Sequence, residues 1–389
     1  MDNIYLDNNA TTRIDDRVFV AMRPYLTNHF AHPSSSHLLG TKVREKIEQA
    51  RDSVAVVLGT SHPDEIVFTS GGTESINTAI KGVLAVSPTR NHIVTTKVEH
   101  ISVLNVCLHE ANRHRQITYL PVDRQGKFDL DQLKKSLTDS TAIVSVMWAN
   151  NETGIIFPIE EIGKIVKERG IIFHVDAVQA VSRIPINLRN LSCIDLLSVS
   201  AHKFHGPKGI GALFVRQGTK LHSLIVGGPQ EGMRRAGTEN VASIIGMGKA
   251  AELAPIYLDE ENTRVRYLRN RLERGVVEQI QGARVNGNRN ERIPNTTNII
   301  FSGCGARKLL KGMETYGIYA TSGAACAGGL SPSHVLLAMG LTPSEALSSI
   351  RFGLSRYNSE GEIDYVIGVL ATIAKNLKTA VGLSAAASA

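Results

Sequence analysis

Between residues 60 and 215 the chain returns seven times to a short strand-like run built on an apolar stretch: Glu65–Ser70, His92–His100, Ile117–Val122, Ala142–Asn150, Ile171–Val178, Ile194–Ser200 and Ile210–Val215. Such runs do not alternate between apolar and polar, so as strands they must be covered on both faces. Helical patterns lie between several of them, for example Pro158–Arg169, with Pro158 expected at the helix start. Strands alternating with helices predict an α/β fold: a large domain on a mainly parallel seven-stranded sheet, with ligands gathered at the strands' carboxyl ends.

After Gly237 the pattern changes. Val241–Ala254 and Asp259–Gln281 read as two long helices. Beyond them, strands (Thr297–Phe301, Ile350–Leu354) mix with helices (Arg307–Tyr316, Pro332–Met339, Glu360–Ala380). That reads as a smaller α+β lobe. The expected division is a large domain over 15–257 and a small one from 1–14 and 258–389, ending in the Ala/Ser-biased tail Ser384–Ala389. A chain of 389 residues that is 42% hydrophobic has enough apolar surface for both.

The formal net charge is +7, but the basic residues are spread along the chain and aromatics are only 5%. No Arg/Lys stripe is interleaved with stacking residues, so direct nucleic-acid binding is not expected; anionic ligands or acidic partners suit the charge better. No apolar run approaches the ~20 residues that cross a bilayer, and the start lacks a secretory layout. The four cysteines, Cys107, Cys193, Cys304 and Cys326, include no Cys-x-x-Cys pair. No metal site is expected, and a reducing, cytoplasmic setting is.

Four strand ends carry chemistry. Ser200-Ala201-His202-Lys203 follows one strand, and a lysine there can form a Schiff base once burial lowers its pKa. Taken alone it reads as a surface-loop lysine. The following Gly206-Pro207-Lys208-Gly209-Ile210-Gly211 lacks nucleotide-loop spacing and leads into a strand. Ser70-Gly71-Gly72-Thr73 joins a strand to a helix and offers free N–H groups to an anion, or is simply a tight turn capped by Thr73. Asp176 ends a third strand, where its carboxylate needs a partner, and His100 ends a fourth. Together they fit pyridoxal 5'-phosphate: a lysine for the aldehyde, an anion cradle for the phosphate, a carboxylate for the pyridine nitrogen and a ring to stack on it.

Six motifs in order now carry a resemblance: Tyr5-Leu6-Asp7-Asn8-Asn9-Ala10-Thr11-Thr12, Asn150-Asn151-Glu152, His174-Val175-Asp176, Ser200-Ala201-His202-Lys203, Arg234-Arg235-Ala236-Gly237-Thr238 and Ser322-Gly323-Ala324-Ala325-Cys326. Over about residues 4 to 375 the chain resembles the NifS/IscS-like cysteine desulfurases of the class V aminotransferase superfamily. The resemblance implies a fold-type-I PLP-dependent transferase and a homodimer with shared active sites. It further implies conversion of L-cysteine to L-alanine, with sulfur passed as a persulfide to an iron-sulfur scaffold or other sulfur acceptor. Selenocysteine lyase, or another class V activity, stays open.

By the same resemblance, Lys203 bears the cofactor, Asp176 pairs with the pyridine nitrogen and Gln179 with the ring hydroxyl. His100 stacks on the ring and moves protons. Gly72, Thr73, Ser200 and His202 hold the phosphate, joined by Thr238 of the other subunit. Asn151 and Arg351 bind the substrate carboxylate, Arg351 being chosen over Arg356 on its surrounding pattern. Cys326 is the sulfur acceptor, with Gly323, Gly328 and Gly329 freeing its backbone and Ser331-Pro332 expected to cap and begin a helix. Read alone it is a loop cysteine without a role. The sequence departs from the family pattern at Ala31-His32, Ala324, Gly353 and Ser355, and it lacks an extended acceptor-docking tail.

Overall fold

Every one of the seven apolar runs becomes a strand of one sheet. The computed structural model describes residues 3–60, 62–323 and 331–387, with side chains as far as residue 379. In chain order the strands are β1 (Ile4–Tyr5), β2 (Ile66–Thr69), β3 (His92–Thr96), β4 (Gln116–Leu120), β5 (Thr141–Met147) and β6 (Ile172–Asp176), then β7 (Leu196–Ser200), β8 (Gly211–Val215), β9 (Ala283–Val285), β10 (Thr296–Phe301), β11 (Ile318–Tyr319) and β12 (Ser349–Gly353).

The seven-stranded sheet has the order β2-β8-β7-β6-β5-β3-β4. All contacts from β7 to β4 are parallel, whereas β8 runs antiparallel to both β7 and β2. Reversing β8 alone leaves the carboxyl ends of β2, β3, β5, β6 and β7 on one edge. The strands carry apolar residues on both faces because alternate residues serve different cores. Ile66, Phe68, Val94, Val144, Val146, Leu197 and Phe214 face one cluster, with Val43, Ile47 and Met247 from helices. Val67, Ile93, Ile143, Leu196, Leu213 and Val215 face another, with Ile76, Ile80, Val83, Val103 and Val106. The helix Ile159–Glu168 shows why its sequence covers a sheet: Ile159, Ile162, Gly163 and Val166 are its buried face.

A separate core joins the chain's beginning to its end. Ile4 and Leu6 pack with Leu268, Leu272, Phe301, Leu309, Phe352 and Leu370. Here β10 lies between β9 and β12, both antiparallel, while β1 pairs in parallel with β11. Val335, Leu336, Met339 and Ala346, however, pack into the first core, under the large sheet.

Four local expectations need correction. The two helices expected around Pro255 are continuous, Val241–Glu260 leading through one π-turn, Glu261–Val265, into Arg266–Gln279. Pro255 lies inside this helix and removes one N–H from its ladder, yet the helix continues through it. By length and composition this helix could cross a membrane, but half of its most apolar stretch is buried in the fold. The helix expected to start at Pro332 starts at His334; its cap is Ser333, whose hydroxyl accepts from the Leu336 N–H. Finally, β3 stops at Thr96, because the turn that follows is closed by the Thr96 hydroxyl donating to Glu99 (2.7 Å). His100 therefore caps the helix Ile101–Ala111 and does not end a strand. Likewise Pro158 is the cap of Ile159–Glu168 and lies outside its first turn.

Candidate active site

The aligned carboxyl ends surround a cleft of about 520 Å³, within the usual size of small-molecule sites. Gly72, Thr73, His100, Asn151, Asp176, Gln179, Ser200, His202, Lys203 and Arg351 all line it. Side chains scattered over 280 positions of sequence thus meet because strand order, not chain order, sets their spacing.

Beyond β2, Gly71 adopts φ 152°, ψ −178°, a conformation essentially reserved for glycine. It occupies the cap position of the helix Gly72–Val86, and no side chain caps that helix. The capping role considered for Thr73 is therefore not realised. The first N–H groups and the positive end of the helix dipole are left for an anion. Glu74, in the same turn, does not compete: it accepts from the Ser70 N–H and pairs with Arg235 at 2.9 Å. Gly211, opening β8, is paired with both Thr69 and Ser200, which sets this turn beside the end of β7.

Lys203 donates to the carbonyls of Asn9 (2.6 Å) and Ala10 (2.8 Å). Burial, assisted by Arg351 and Arg183, pulls its pKa down to about 7, so a large neutral fraction exists at neutral pH. Asp176 is buried, accepts from the Val178 N–H at 3.0 Å, and is pushed up to about 6 by burial. A positive partner at this carboxylate would be favoured, since it removes the cost of a buried charge. Burial, then the charges of Lys203, His334 and Arg351, lowers His100 to about 4. Its ring is neutral at pH 7, and because Nδ1 accepts the Ser102 N–H, the proton sits on Nε2.

Gln179 donates to the Asn9 carbonyl (2.9 Å) and its own amide oxygen accepts from Arg183 (3.2 Å). Only one amide N–H therefore remains for a ligand. His202 is fixed by Thr11 at 3.1 Å. Arg351 donates to Asp7 (2.6 Å) and to the Asn151 carbonyl (3.1 Å). Two buried polar atoms here have no protein partner, Nε of Arg351 and Oδ1 of Asn151. A donor and an acceptor left open side by side suit a zwitterionic ligand. Arg356 is elsewhere, paired with Asp15 and stacked on Tyr257 at 4.1 Å.

Two expected residues are not among the described lining of this cleft, and one of them, Thr238, is expected to serve the other subunit's site. Thr238 is exposed, outside this cleft, with its hydroxyl 3.4 Å from His32, one of the residues that departs from the family pattern. Cys326 lies outside the described residues. Other groups escaped the sequence reading. Asn9 orients both Lys203 and Gln179. Glu99 is fully buried, accepts from Thr96 and from the Met147 N–H, and is pushed up to about 8 by burial and by Asp176. Glu152 and His334 also line the cleft. No signal short of the motifs Asn8-Asn9 and Asn150-Asn151-Glu152 marked them.

The donor set fits a phosphate-bearing aldehyde. An amine that loses its proton near neutrality, an uncapped helix start and a carboxylate seeking a cation each fit one part of it.

Comparisons with known proteins agree with this chemistry. The family described as aminotransferase class-V matches residues 4–366. A cysteine desulfurase of Trichormus azollae is 51% identical over 379 residues, covering 97% of this chain and 94% of the relative. The cysteine desulfurase NifS of Azotobacter vinelandii is 48% identical over the same length, again 97% and 94%. A solved NifS-like protein superposes with a TM-score of 0.90 at 38% identity, covering 95% of this chain and 99% of its own.

Proposed function

The chain belongs to the class V aminotransferase family, among its cysteine desulfurases, and from that premise we propose that it takes sulfur from L-cysteine with pyridoxal 5'-phosphate held at Lys203. The observation that carries the reading is the meeting of Lys203, Asp176 and the uncapped helix start at Gly72 in one cleft, beside the open polar atoms of Asn151 and Arg351.

When bound, the cofactor would withdraw electrons from the amino acid joined to it. The phosphate would lie on the N–H groups at Gly72 and Thr73, with Ser200 and His202 beside it, and Asp176 would keep a proton on the pyridine nitrogen. The neutral ring of His100 would stack on the cofactor and relay protons. Asn151 and Arg351 would take the carboxylate of cysteine. Lys203, which loses its own proton near pH 7, would remove the Cα proton. In the sulfur step the Cβ–S bond of cysteine breaks and an S–S bond forms to Cys326. The bonding pair stays on carbon, which gains the proton that the Cys326 thiol gives up. L-cysteine and a thiol thus become L-alanine and a persulfide, with no outside oxidant.

A homodimer completes the reading, since Thr238 is exposed and would serve a second copy's phosphate site. The second core, built on 1–14 and 258–389, would form the small domain, and the sulfur would go to an iron-sulfur scaffold or another acceptor. Mass spectrometry after incubation with cysteine should show a persulfide on the Cys326 peptide and an equal yield of alanine. Alanine and sulfide release by Cys326→Ala at the wild-type rate would contradict the assignment.

A further inference from the structure

We propose that Glu152 is a positioning residue that fixes the two stretches of chain bordering residues 324–330, and thereby the rate at which Cys326 collects sulfur. The inference rests on the role given to Cys326 above.

One carboxyl oxygen touches both borders. On the far side, the Ser333 hydroxyl donates to Glu152 Oε2 at 2.6 Å, and both residues are buried. On the near side, Gly323 packs against the same oxygen so closely that a Cβ there would lie 2.5 Å from it. Gly323 also has φ 85°, which favours glycine for a second reason. Ser333 caps the helix His334–Ala338 through the Leu336 N–H, so the contact extends into an element packed in the large core. The next residue, His334, is bonded through Nε2 to the Glu99 carbonyl, immediately before His100.

The anchor itself is rigid. Asn150 Oδ1 accepts from the N–H groups of Glu152 and Thr153, each at 2.9 Å, and the Asn150 amide donates to the Val98 carbonyl. The Glu152 carbonyl accepts from Asn298, on β10. Both cores thus hold this one residue. Burial raises the pKa of its carboxyl, while Ser333, Arg351 and His334 oppose the rise. The Ser333 contact needs only an acceptor oxygen, which an amide also supplies.

The test uses the cofactor-loaded protein and two readouts: the absorbance change when cysteine engages the cofactor, and persulfide on Cys326 in a quenched single turnover. In Glu152→Ala the absorbance change should keep its wild-type rate and cysteine dependence, while the persulfide forms about tenfold more slowly, as expected for loss of a buried charge-assisted hydrogen bond. Glu152→Gln should stay within about threefold of wild type, since its amide keeps an acceptor oxygen for Ser333. Ser333→Ala is the milder second variant, and the double variant with Glu152→Ala should be no slower than the worse single one, because the two act through one contact. The proposal fails if Glu152→Ala weakens cysteine engagement in step with sulfur transfer, if the two variants multiply, or if persulfide forms at the wild-type rate. Wild-type protein that releases alanine without a persulfide on Cys326 would instead overturn the underlying assignment, and this inference with it.

Discussion

Lys203 loses its proton near neutrality for reasons drawn from the whole chain. Burial is the main one; Arg351 and Arg183 add to it, Asp176 and Asp7 oppose it, and the amine leans on the carbonyls of Asn9 and Ala10. Uptake of the aldehyde cofactor by the apoprotein should therefore rise with pH and level off just above about 7. A lysine of ordinary pKa, ~10.4, would give a rate still climbing at pH 9, and stopped-flow absorbance separates the two. The linked effect on folding has a definite sign. Between about 7 and the unfolded value the unfolded chain binds the additional proton, so this residue's contribution to stability improves as pH rises. The lysine's place was legible because it directly follows an apolar strand. Its electrostatics were not, because Arg183 and Arg351 act from 20 and 148 positions away.

Elements were legible where one local rule decides them. Six of the seven strands announced themselves because both of their faces are buried, and β4, at the sheet edge, is only partly covered; their ends did not, since turns are closed by side chains such as Thr96 and Glu99. Two serines flanking Pro332 are equally good caps by residue type, and contact with Glu152 selects Ser333. At the start of Gly72–Val86 the sequence suggested a capping threonine where the fold uses an uncapped glycine turn. That turn predicts a specific sensitivity. In Gly72→Ala the new Cβ would sit 2.9 Å from Val178 Cγ2, displacing the segment that joins Asp176 to Gln179. The helix should survive, because alanine favours it, while cofactor affinity falls about tenfold, the worth of ~1.4 kcal/mol. Equilibrium dialysis against pyridoxal phosphate measures the loss, and circular dichroism checks that helix content is kept.

Across the whole molecule, a polar clamp joins the two cores at a place no sequence pattern marked. Asp15 accepts from Arg17 (2.8 Å), Arg356 (2.7 Å) and the Tyr357 hydroxyl (3.2 Å), while Arg356 stacks on Tyr257. Its hydrogen bonds to Arg17 and Arg356 hold the Asp15 carboxyl well below the usual carboxylate range. Asp15→Ala strands the buried Arg356 and should destabilise the protein by about 3 kcal/mol at pH 7. Because the folded-state pKa is depressed, the wild-type advantage is present above the unfolded value and is lost as pH falls. Urea unfolding should show the gap between wild type and variant narrowing below about pH 4. The sheet order carries one more consequence, in the timing of synthesis. β2 has β8 as its sheet neighbour, and Gly211 of β8 is the residue paired with both Thr69 and Ser200. On a ribosome adding ~5–20 residues per second, the glycine turn after β2 waits roughly 7–30 s before that neighbour exists. Arg351 follows some 140 residues later again. A nascent chain can therefore offer the cofactor no finished cradle until β8 has left the ribosome, and no site for the substrate carboxylate until Arg351 follows.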